Sequence, residues 1–89
     1  MQFEWDNQKA ERIWRERAIA FEDIAKLFEA PHVVLSSDKR GELRWRIIGE
    51  IGGVCVTGVY THRDAAIRII TARRSWPNEE REYRSLHAR

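Results

Sequence analysis

The sequence predicts an α+β domain in which two N-terminal helices precede a three- to four-stranded antiparallel sheet and a C-terminal helix. Apolar residues recur at helical spacing in residues 7–28, and β-branched extended segments follow in residues 33–74. Pro77, Glu79 and Glu80 then suit the first turn of another helix. The chain has 89 residues, 43% of them hydrophobic, which suffices for one core. We therefore expect residues 1–89 to form a single domain.

Two helices are predicted at the start of the chain. Asp6 is placed to cap a helix from about Asn7 to Arg17, since its carboxylate can accept from free backbone amides of the first turn. The predicted buried stripe of this helix has the spacing i, i+3, i+4, i+8 and comprises Ala10, Ile13, Trp14 and Ala18. A second stripe predicts a short helix that ends near Pro31, and it comprises Phe21, Ile24, Ala25 and Phe28.

A β-hairpin centred on Gly52-Gly53 is the clearest signal in the extended region. It joins a strand from Leu43 to Ile51 with one from Val54 to Tyr60, because two glycines accept positive φ in a tight turn. An edge strand at residues 33–35 and a turn at residues 38–41 precede it. The predicted core pairs are Ile51 with Val54, Gly49 with Val56, Ile47 with Gly58 and Trp45 with Tyr60. The other face pairs Glu50 with Cys55, Ile48 with Thr57, Arg46 with Val59 and Arg44 with Thr61.

The next predicted strand, residues 67–74, joins an apolar run to three arginines. A four-residue loop at residues 61–64 would set Ile67 opposite Gly58 and Arg68 opposite Thr57. Arg68 would then share the mixed face of the sheet with Arg44, Arg46 and Glu50. A final helix begins near Ser75 to Pro77, with one side predicted to carry Trp76, Tyr83 and Leu86.

Charge is unevenly distributed along the chain. The net charge of +2 combines −2 in residues 1–43 with +4 in residues 44–89, where every basic residue other than histidine is arginine. Arginine matches phosphate or carboxylate oxygens two at a time, which favours a nucleic-acid partner or an acidic protein, although a solvated charged surface also fits. No apolar run suits a signal peptide or membrane span, and Cys55 is the only cysteine, so we predict a cytoplasmic protein.

No metal site or other cofactor is predicted. His32, His62, His87 and Cys55 lack the spacing of metal ligands, and lone surface or turn histidines are the simpler interpretation. Cys55 reads as a small strand residue.

Taken together, these motifs resemble the BrnT-type toxins, the ribonuclease half of a bacterial type II toxin–antitoxin pair with a RelE-like fold. The resemblance covers nearly the whole chain and rests on residues 3–6 (FEWD) with Lys9, residues 21–23 (FED), residues 42–49 (ELRWRIIG) with Gly52-Gly53, residues 59–61 (VYT), residues 67–74 (IRIITARR), Glu79 and Tyr83. It implies RNA cleavage without metal and neutralisation by a BrnA-type antitoxin. That antitoxin would be a ribbon-helix-helix protein, so the chain would meet operator DNA only indirectly, as part of a dimer or heterotetramer without a membrane role.

The chain departs from the family pattern at two places. Glu16 and Arg17 stand where family members usually have lysine and histidine. Trp76 replaces the usual Thr or Ser cap, and Pro77 and Asn78 occupy positions that are usually basic. These changes remove positive charge that could touch RNA and leave the fold unaffected.

Metal-free RNA cleavage needs a base, an acid and donors that stabilise charge on the phosphate. From the resemblance we assign Arg68 and Arg73 to the phosphate, and Arg74 to a second phosphate or backbone contact. Glu50 and Tyr83 are the acid–base candidates, and Arg44 and Arg46 could extend a track for the RNA backbone. The structural alternatives are an Arg68–Glu50 ion pair, a packed Tyr83 and a solvated arginine face.

Three functions stay open at this point. The first is a toxin ribonuclease that inhibits growth by cleaving RNA. The second is a catalytically weak or inactive module of the same fold that acts in the antitoxin complex and in regulation of its operon. The third is a small RNA- or DNA-binding protein without an antitoxin.

Overall fold

A computed structural model describes residues 1–38 and 41–87 and has three helices and a five-stranded sheet, which confirms the α+β class. In chain order the elements are β1 (Gln2–Glu4), α1 (Asn7–Arg17), α2 (Phe21–Leu27), β2 (Val33–Ser36), β3 (Trp45–Ile51), β4 (Val54–Arg63), β5 (Ala66–Arg74) and α3 (Pro77–His87). The predicted turn at 38–41 lies partly outside the described residues. None of these helices is long and apolar enough to cross a membrane.

The sheet is mixed, with strand order β1-β5-β4-β3-β2, which corrects the expectation of three or four antiparallel strands. The extra strand is β1, which pairs parallel to β5 and sets Phe3 opposite Ile67. Three residues are too few to display strand periodicity. Pairing with β5 supplies the backbone partners that make the segment a strand.

The hairpin of β3 and β4 has the predicted register from Ile51↔Val54 to Trp45↔Tyr60. Gly52 and Gly53 have φ of 58° and 80°, the conformation for which glycine was expected. The ladder begins at Trp45, so the predicted pairing of Arg44 with Thr61 does not form. Instead, the Thr61 hydroxyl donates to the carbonyl oxygen of Leu43 at 2.8 Å.

The predicted register of β5 against β4 is wrong. β4 continues to Arg63, past the expected loop, and Arg68 therefore lies opposite Thr61, while Arg73 takes the place opposite Thr57. The register also shifts once, because Val59 pairs with Thr71 while Tyr60 pairs with Ile69. The residue between those two partners, Ile70, is an extra residue in β5 and forms a β-bulge.

The bulge decides which side chains share a face. In a regular strand, residues five apart point to opposite faces. With the extra residue, Ile69 and Ala72 both join the core under the helices. Arg68 and Arg73, opposite Thr61 and Thr57, consequently lie together on the other face.

Helices α1 and α2 cover one face of the sheet and form the main core. Its most buried members include Ile13, Phe21, Ile24, Ile47 and Ile69. Gly58 permits the close approach of α2, since an added Cβ would lie 2.5 Å from the Ile24 Cγ2 atom. Trp14, in contrast, is 56% exposed, so its place in the predicted stripe is wrong. The buried strip of α1 is narrower than the periodicity suggested.

Helix α3 packs on the other face, against β2 and β3. A second core there joins Val33, Ile48, Cys55 and Tyr83. The predicted packing side of α3 is wrong for Trp76 and Leu86, which are 54% and 68% exposed. The buried side instead carries Glu79 and Tyr83, one helical turn apart. Beside α3, Thr61, Arg68 and Ile70 are partly exposed, and we call this region the open face.

Candidate nucleic-acid interface

Two depressions adjoin at the open face, and the smaller one reaches the start of α1. The larger, a cleft of about 480 Å³, is lined by Glu42, Arg44, Thr61, His62, Arg63, Arg68 and Ile70. The smaller, of about 190 Å³, is lined by Asp6, Lys9, Arg68, Ile69 and Ile70. Arg68 and Ile70 belong to both. Because the cleft has three arginines against one glutamate, it attracts anions.

Arg68 is held by one carboxylate that is itself accessible to water. Its Nη1 donates to Glu4 Oε2 at 3.0 Å, and Arg63 Nη1 lies 3.7 Å from the same oxygen. The side chains of Arg68 and Glu4 are 31% and 38% exposed. The alternative ion pair between Arg68 and Glu50 is not present. An exposed pair contributes about 0–1 kcal/mol, so a phosphate can compete with Glu4 for this guanidinium.

Glu79 is a fully buried carboxylate that receives hydrogen bonds from three strands and from the start of α3. Arg73 donates through Nη1 at 2.7 Å and Nη2 at 2.8 Å, Arg46 through Nη1 at 3.0 Å, and the Thr57 hydroxyl at 3.0 Å. The Trp76 backbone amide donates at 2.8 Å. We call Glu79 and these four donors the Glu79 cluster.

The charge state of Glu79 follows from these partners. Burial raises the pKa of this carboxyl, but hydrogen bonds from Arg73, the Trp76 amide, Arg46 and Thr57 outweigh burial and lower the pKa to about 2. Glu79 is therefore ionised at neutral pH. With its lone pairs already accepting from four groups, it is suited to fixing two arginines and poorly suited to acting as a base.

Glu79 also caps α3. It is the third residue of the helix, and its carboxylate reaches back to the Trp76 amide as in the acidic half of a capping box. Pro77, the first helical residue, has no amide hydrogen that needs a partner. The free amide at the start of α3 therefore has a hydrogen-bond partner, although position 76 is not Ser or Thr. A glutamate three residues after the boundary was the available sequence signal, but its burial depends on distant strands.

Arg46 and Arg73, both predicted to meet RNA, are largely occupied by protein groups. Their side chains are 20% and 19% exposed. Besides binding Glu79, Arg46 donates to the Ser36 carbonyl from Nε at 3.2 Å and Nη2 at 2.9 Å. The Cζ atom of Arg73 lies 3.6 Å from the ring centroid of Trp76, which is a cation–π contact.

The acid–base candidates Glu50 and Tyr83 contact each other. The Tyr83 hydroxyl donates to Glu50 Oε1 at 3.3 Å, and Arg84 Nη1 donates to Glu50 Oε2 at 2.9 Å. Burial and then the charge of Glu50 raise the pKa of Tyr83, so its hydroxyl keeps its proton at neutral pH.

This pair and Arg68 lie at opposite ends of β4. Glu50 is opposite Cys55, whereas Arg68 is opposite Thr61, a separation of about 20 Å at the usual rise per residue. The predicted site residues are therefore spread along β4. Glu50 and Tyr83 lie at one end, Arg68 lies near the other end, and the Glu79 cluster lies between them.

Of the remaining predicted residues, Arg44 and His62 line the cleft and Arg74 lies outside it. Arg44 pairs with Glu42 at the cleft. Arg74 is exposed and lies opposite Val56, a core residue, so it belongs to the helix side of the sheet and not to the open face. His62 packs edge-to-face on Trp45 at 5.0 Å. Over residues 1–38 and 41–87, no three His, Cys, Asp or Glu side chains are grouped to hold a metal ion.

An α+β domain that has an arginine-lined cleft beside α3, on the sheet face opposite α1 and α2, has the features of a small protein that binds nucleic-acid backbones. The family model described as ribonuclease toxin, BrnT, of type II toxin-antitoxin system matches residues 5–79. The chain belongs to this family, and an antitoxin partner follows from that membership. The match includes the cleft and Glu79 and stops before Tyr83. No curated protein matches the chain significantly.

Proposed function

We propose that the chain is a metal-independent endoribonuclease toxin that binds the RNA backbone in the cleft, with Arg68 against the reacting phosphate. The observation that carries this proposal is the position of Arg68 between the two depressions, where it forms an ion pair with a water-accessible carboxylate. Family membership supports the ribonuclease activity itself.

The cleft residues fit the electrostatic demand of RNA cleavage. Attack by a 2′-hydroxyl adds negative charge to the phosphate, and a guanidinium can donate two parallel hydrogen bonds to its oxygens. Arg44 and Arg63 line the same cleft and would hold neighbouring phosphates. In this proposal guanidinium groups supply the positive charge, and no cofactor is used.

A second location for the reacting phosphate is the α3 end of the sheet, beside Tyr83 and Glu50. Tyr83 keeps its proton at neutral pH and so suits a general acid, with the Glu50 carboxylate as its partner. Because Tyr83 is only 5% exposed, access to RNA is poorer there than at Arg68. We therefore favour the cleft.

The proposed partner is a BrnA-type antitoxin of the ribbon-helix-helix class, acting in the cytoplasm. An acidic segment of the antitoxin would cover the cleft, because the same arginines that attract phosphate attract carboxylates. Contact with operator DNA would then pass through the antitoxin alone.

The test is cleavage of a fluorescently labelled single-stranded RNA by purified chain in EDTA. We expect Arg68→Ala to lose about 100-fold or more in rate, the usual effect of removing a donor to a transition-state oxyanion. Arg74→Ala is the matched control, since it removes the same charge from the helix side of the sheet. Its rate should stay within about twofold of wild type on this electrostatic argument.

Tyr83→Phe distinguishes the two locations, because it removes one hydroxyl and keeps the packing. A large loss in Tyr83→Phe with none in Arg68→Ala would move the reaction to the α3 end. Abolition of wild-type cleavage by EDTA, restored by a divalent cation, would contradict metal independence. If a folded wild-type chain cleaves no RNA, the proposal is wrong, and the chain is a catalytically inactive module of the same fold.

A further inference from the structure

The inference concerns Trp76, an exposed indole that lies on a guanidinium. Trp76 is 54% exposed at the start of α3, and one face of its ring covers Arg73 at 3.6 Å. A large aromatic ring that is left this accessible offers a surface on which another flat group can stack. We propose that Trp76 is a stacking platform for one nucleobase of single-stranded RNA, and this site rests on the RNA-binding function proposed above.

The indole is held in place before any ligand arrives. Arg73 is fixed by two hydrogen bonds to Glu79, and the Trp76 backbone amide donates to the same carboxylate. The guanidinium and the Trp76 backbone are therefore anchored to one buried group, and the ring lies on the guanidinium. A base that stacks on such a ring immobilises little new side-chain freedom, which favours binding.

The position of Trp76 matches the proposed path of the RNA backbone. The bulge in β5 brings Arg73 to the same side of the sheet as Arg68, opposite β4 residues that are four apart, or about 13 Å along the sheet. A strand of RNA that contacts Arg68 and continues toward α3 would bring a later base to Trp76. Aromatic rings beside a cationic track are how proteins bind single strands without reading their sequence.

Trp14 shows why exposure alone does not define such a site. It is 56% exposed, almost the same as Trp76, but it lies on α1 in a groove whose lining includes Glu11 and Glu22. Carboxylates repel an RNA backbone. Trp76, in contrast, has Arg73 in direct contact. Trp14 therefore serves as the matched control for Trp76.

The experiment measures binding of a 2′-O-methyl RNA oligonucleotide, which cannot be cleaved because its 2′-oxygen is blocked. We expect Trp76→Ala to weaken binding roughly tenfold, the effect of losing one base–aromatic stack, while Trp76→Phe keeps most of the affinity. Trp14→Ala should bind like wild type. An oligonucleotide series with one abasic position moved along the chain identifies the stacked base. When the abasic site is at that position, the affinity of wild type should fall about tenfold, and the affinity of Trp76→Ala should not fall further.

Unchanged affinity in Trp76→Ala would overturn the inference, and an indole reserved for a protein partner would give that result. Equal abasic losses in wild type and Trp76→Ala at every position would overturn it as well, as would failure of wild type to bind the oligonucleotide. The proposed function is tested separately by cleavage of unmodified RNA. A chain that stacks through Trp76 but cleaves nothing would retain this inference and lose the ribonuclease assignment.

Discussion

Arg68 and Arg73 lie on the same strand and the same side of the sheet, and each pairs with a glutamate, but the two pairs differ in burial. Glu79, the partner of Arg73, is fully buried and accepts from four groups. Glu4, the partner of Arg68, is 38% exposed and shared with Arg63. The first pair joins three strands to a helix, and the second lies at the rim of a cleft.

The difference indicates what allows an arginine to leave its glutamate for an external anion. The solvent accessibility of the ion pair decides this, and not the presence of the arginine in a basic stretch of sequence. Removing one member of a buried pair leaves an unpaired charge without water, at a cost of about 3–5 kcal/mol. An exposed pair can open at a cost of about 0–1 kcal/mol. Arg73 is therefore an anchor, whereas Arg68 can bind a ligand.

The largest expected effect follows from neutralising Glu79. Glu79→Gln should lower the free energy of unfolding by about 3–5 kcal/mol, because Arg46 and Arg73 lose their buried counter-charge. Glu4→Gln should change it by less than about 1 kcal/mol. Urea unfolding followed by circular dichroism measures both. Equal losses in the two variants would remove the distinction between anchor and exposed pair.

The pH dependence of stability should reflect the same carboxylate. The pKa of Glu79 falls from 4.5 to about 2 on folding, so its stabilisation is fully present above pH 4.5 and is lost as pH falls toward 2. That shift corresponds to at most roughly 3 kcal/mol. Urea unfolding at several pH values should give a steeper acid loss in wild type than in Glu79→Gln. Parallel curves would contradict an ionised Glu79.

RNA binding should depend on salt through Arg68. For the 2′-O-methyl oligonucleotide, Arg68→Ala should reduce the slope of log affinity against log salt by about 0.7, the value for one phosphate contact to a single strand. Arg74→Ala removes the same charge from the helix side of the sheet and should leave the slope unchanged. If both variants change the slope equally, RNA affinity depends on the net charge of the protein and not on the position of Arg68 on the open face.

The smallest effect concerns the competitor of the phosphate. Glu4→Gln should strengthen RNA binding by a factor of about 2 to 5, since displacing an exposed carboxylate costs no more than about 1 kcal/mol. Glu11→Gln is its control, because Glu11 forms an exposed pair with Arg15 on α1. Weaker RNA binding in Glu4→Gln would mean that Glu4 positions Arg68 instead of competing with RNA.

Local rules explain what could be predicted from the sequence. The bounds of α1 agree with the structure because Asp6 supplies its own capping contacts, to the amides of Gln8 and Lys9. The β3–β4 register agrees because Gly52-Gly53 leaves one tight turn. Both features depend on residues close together in the chain.

The misses have both local and long-range causes. The predicted β4–β5 register was wrong because β4 continues to Arg63 and turns at Asp64, which has a φ of 56°, and because Ile70 then adds a bulge. Glu79 was placed at a helix start, where its charge fits, but its burial requires Arg46 and Thr57 from two other strands. The roles of Arg68 and Tyr83 stay predictions, and their separation along the sheet is the new constraint on them.

The bulge also limits how this chain can vary. If β5 kept its length but lost the bulge, regular alternation from Arg68 would turn Arg73, five residues away, toward the packed side chains of α2. Deleting Ile70, in contrast, would leave the two arginines four residues apart, and they would share a face without any bulge. Individual side chains on the open face can therefore be exchanged during evolution, but a change that straightens β5 at Ile70 would bury the charge of Arg73 unless one residue were lost with the bulge.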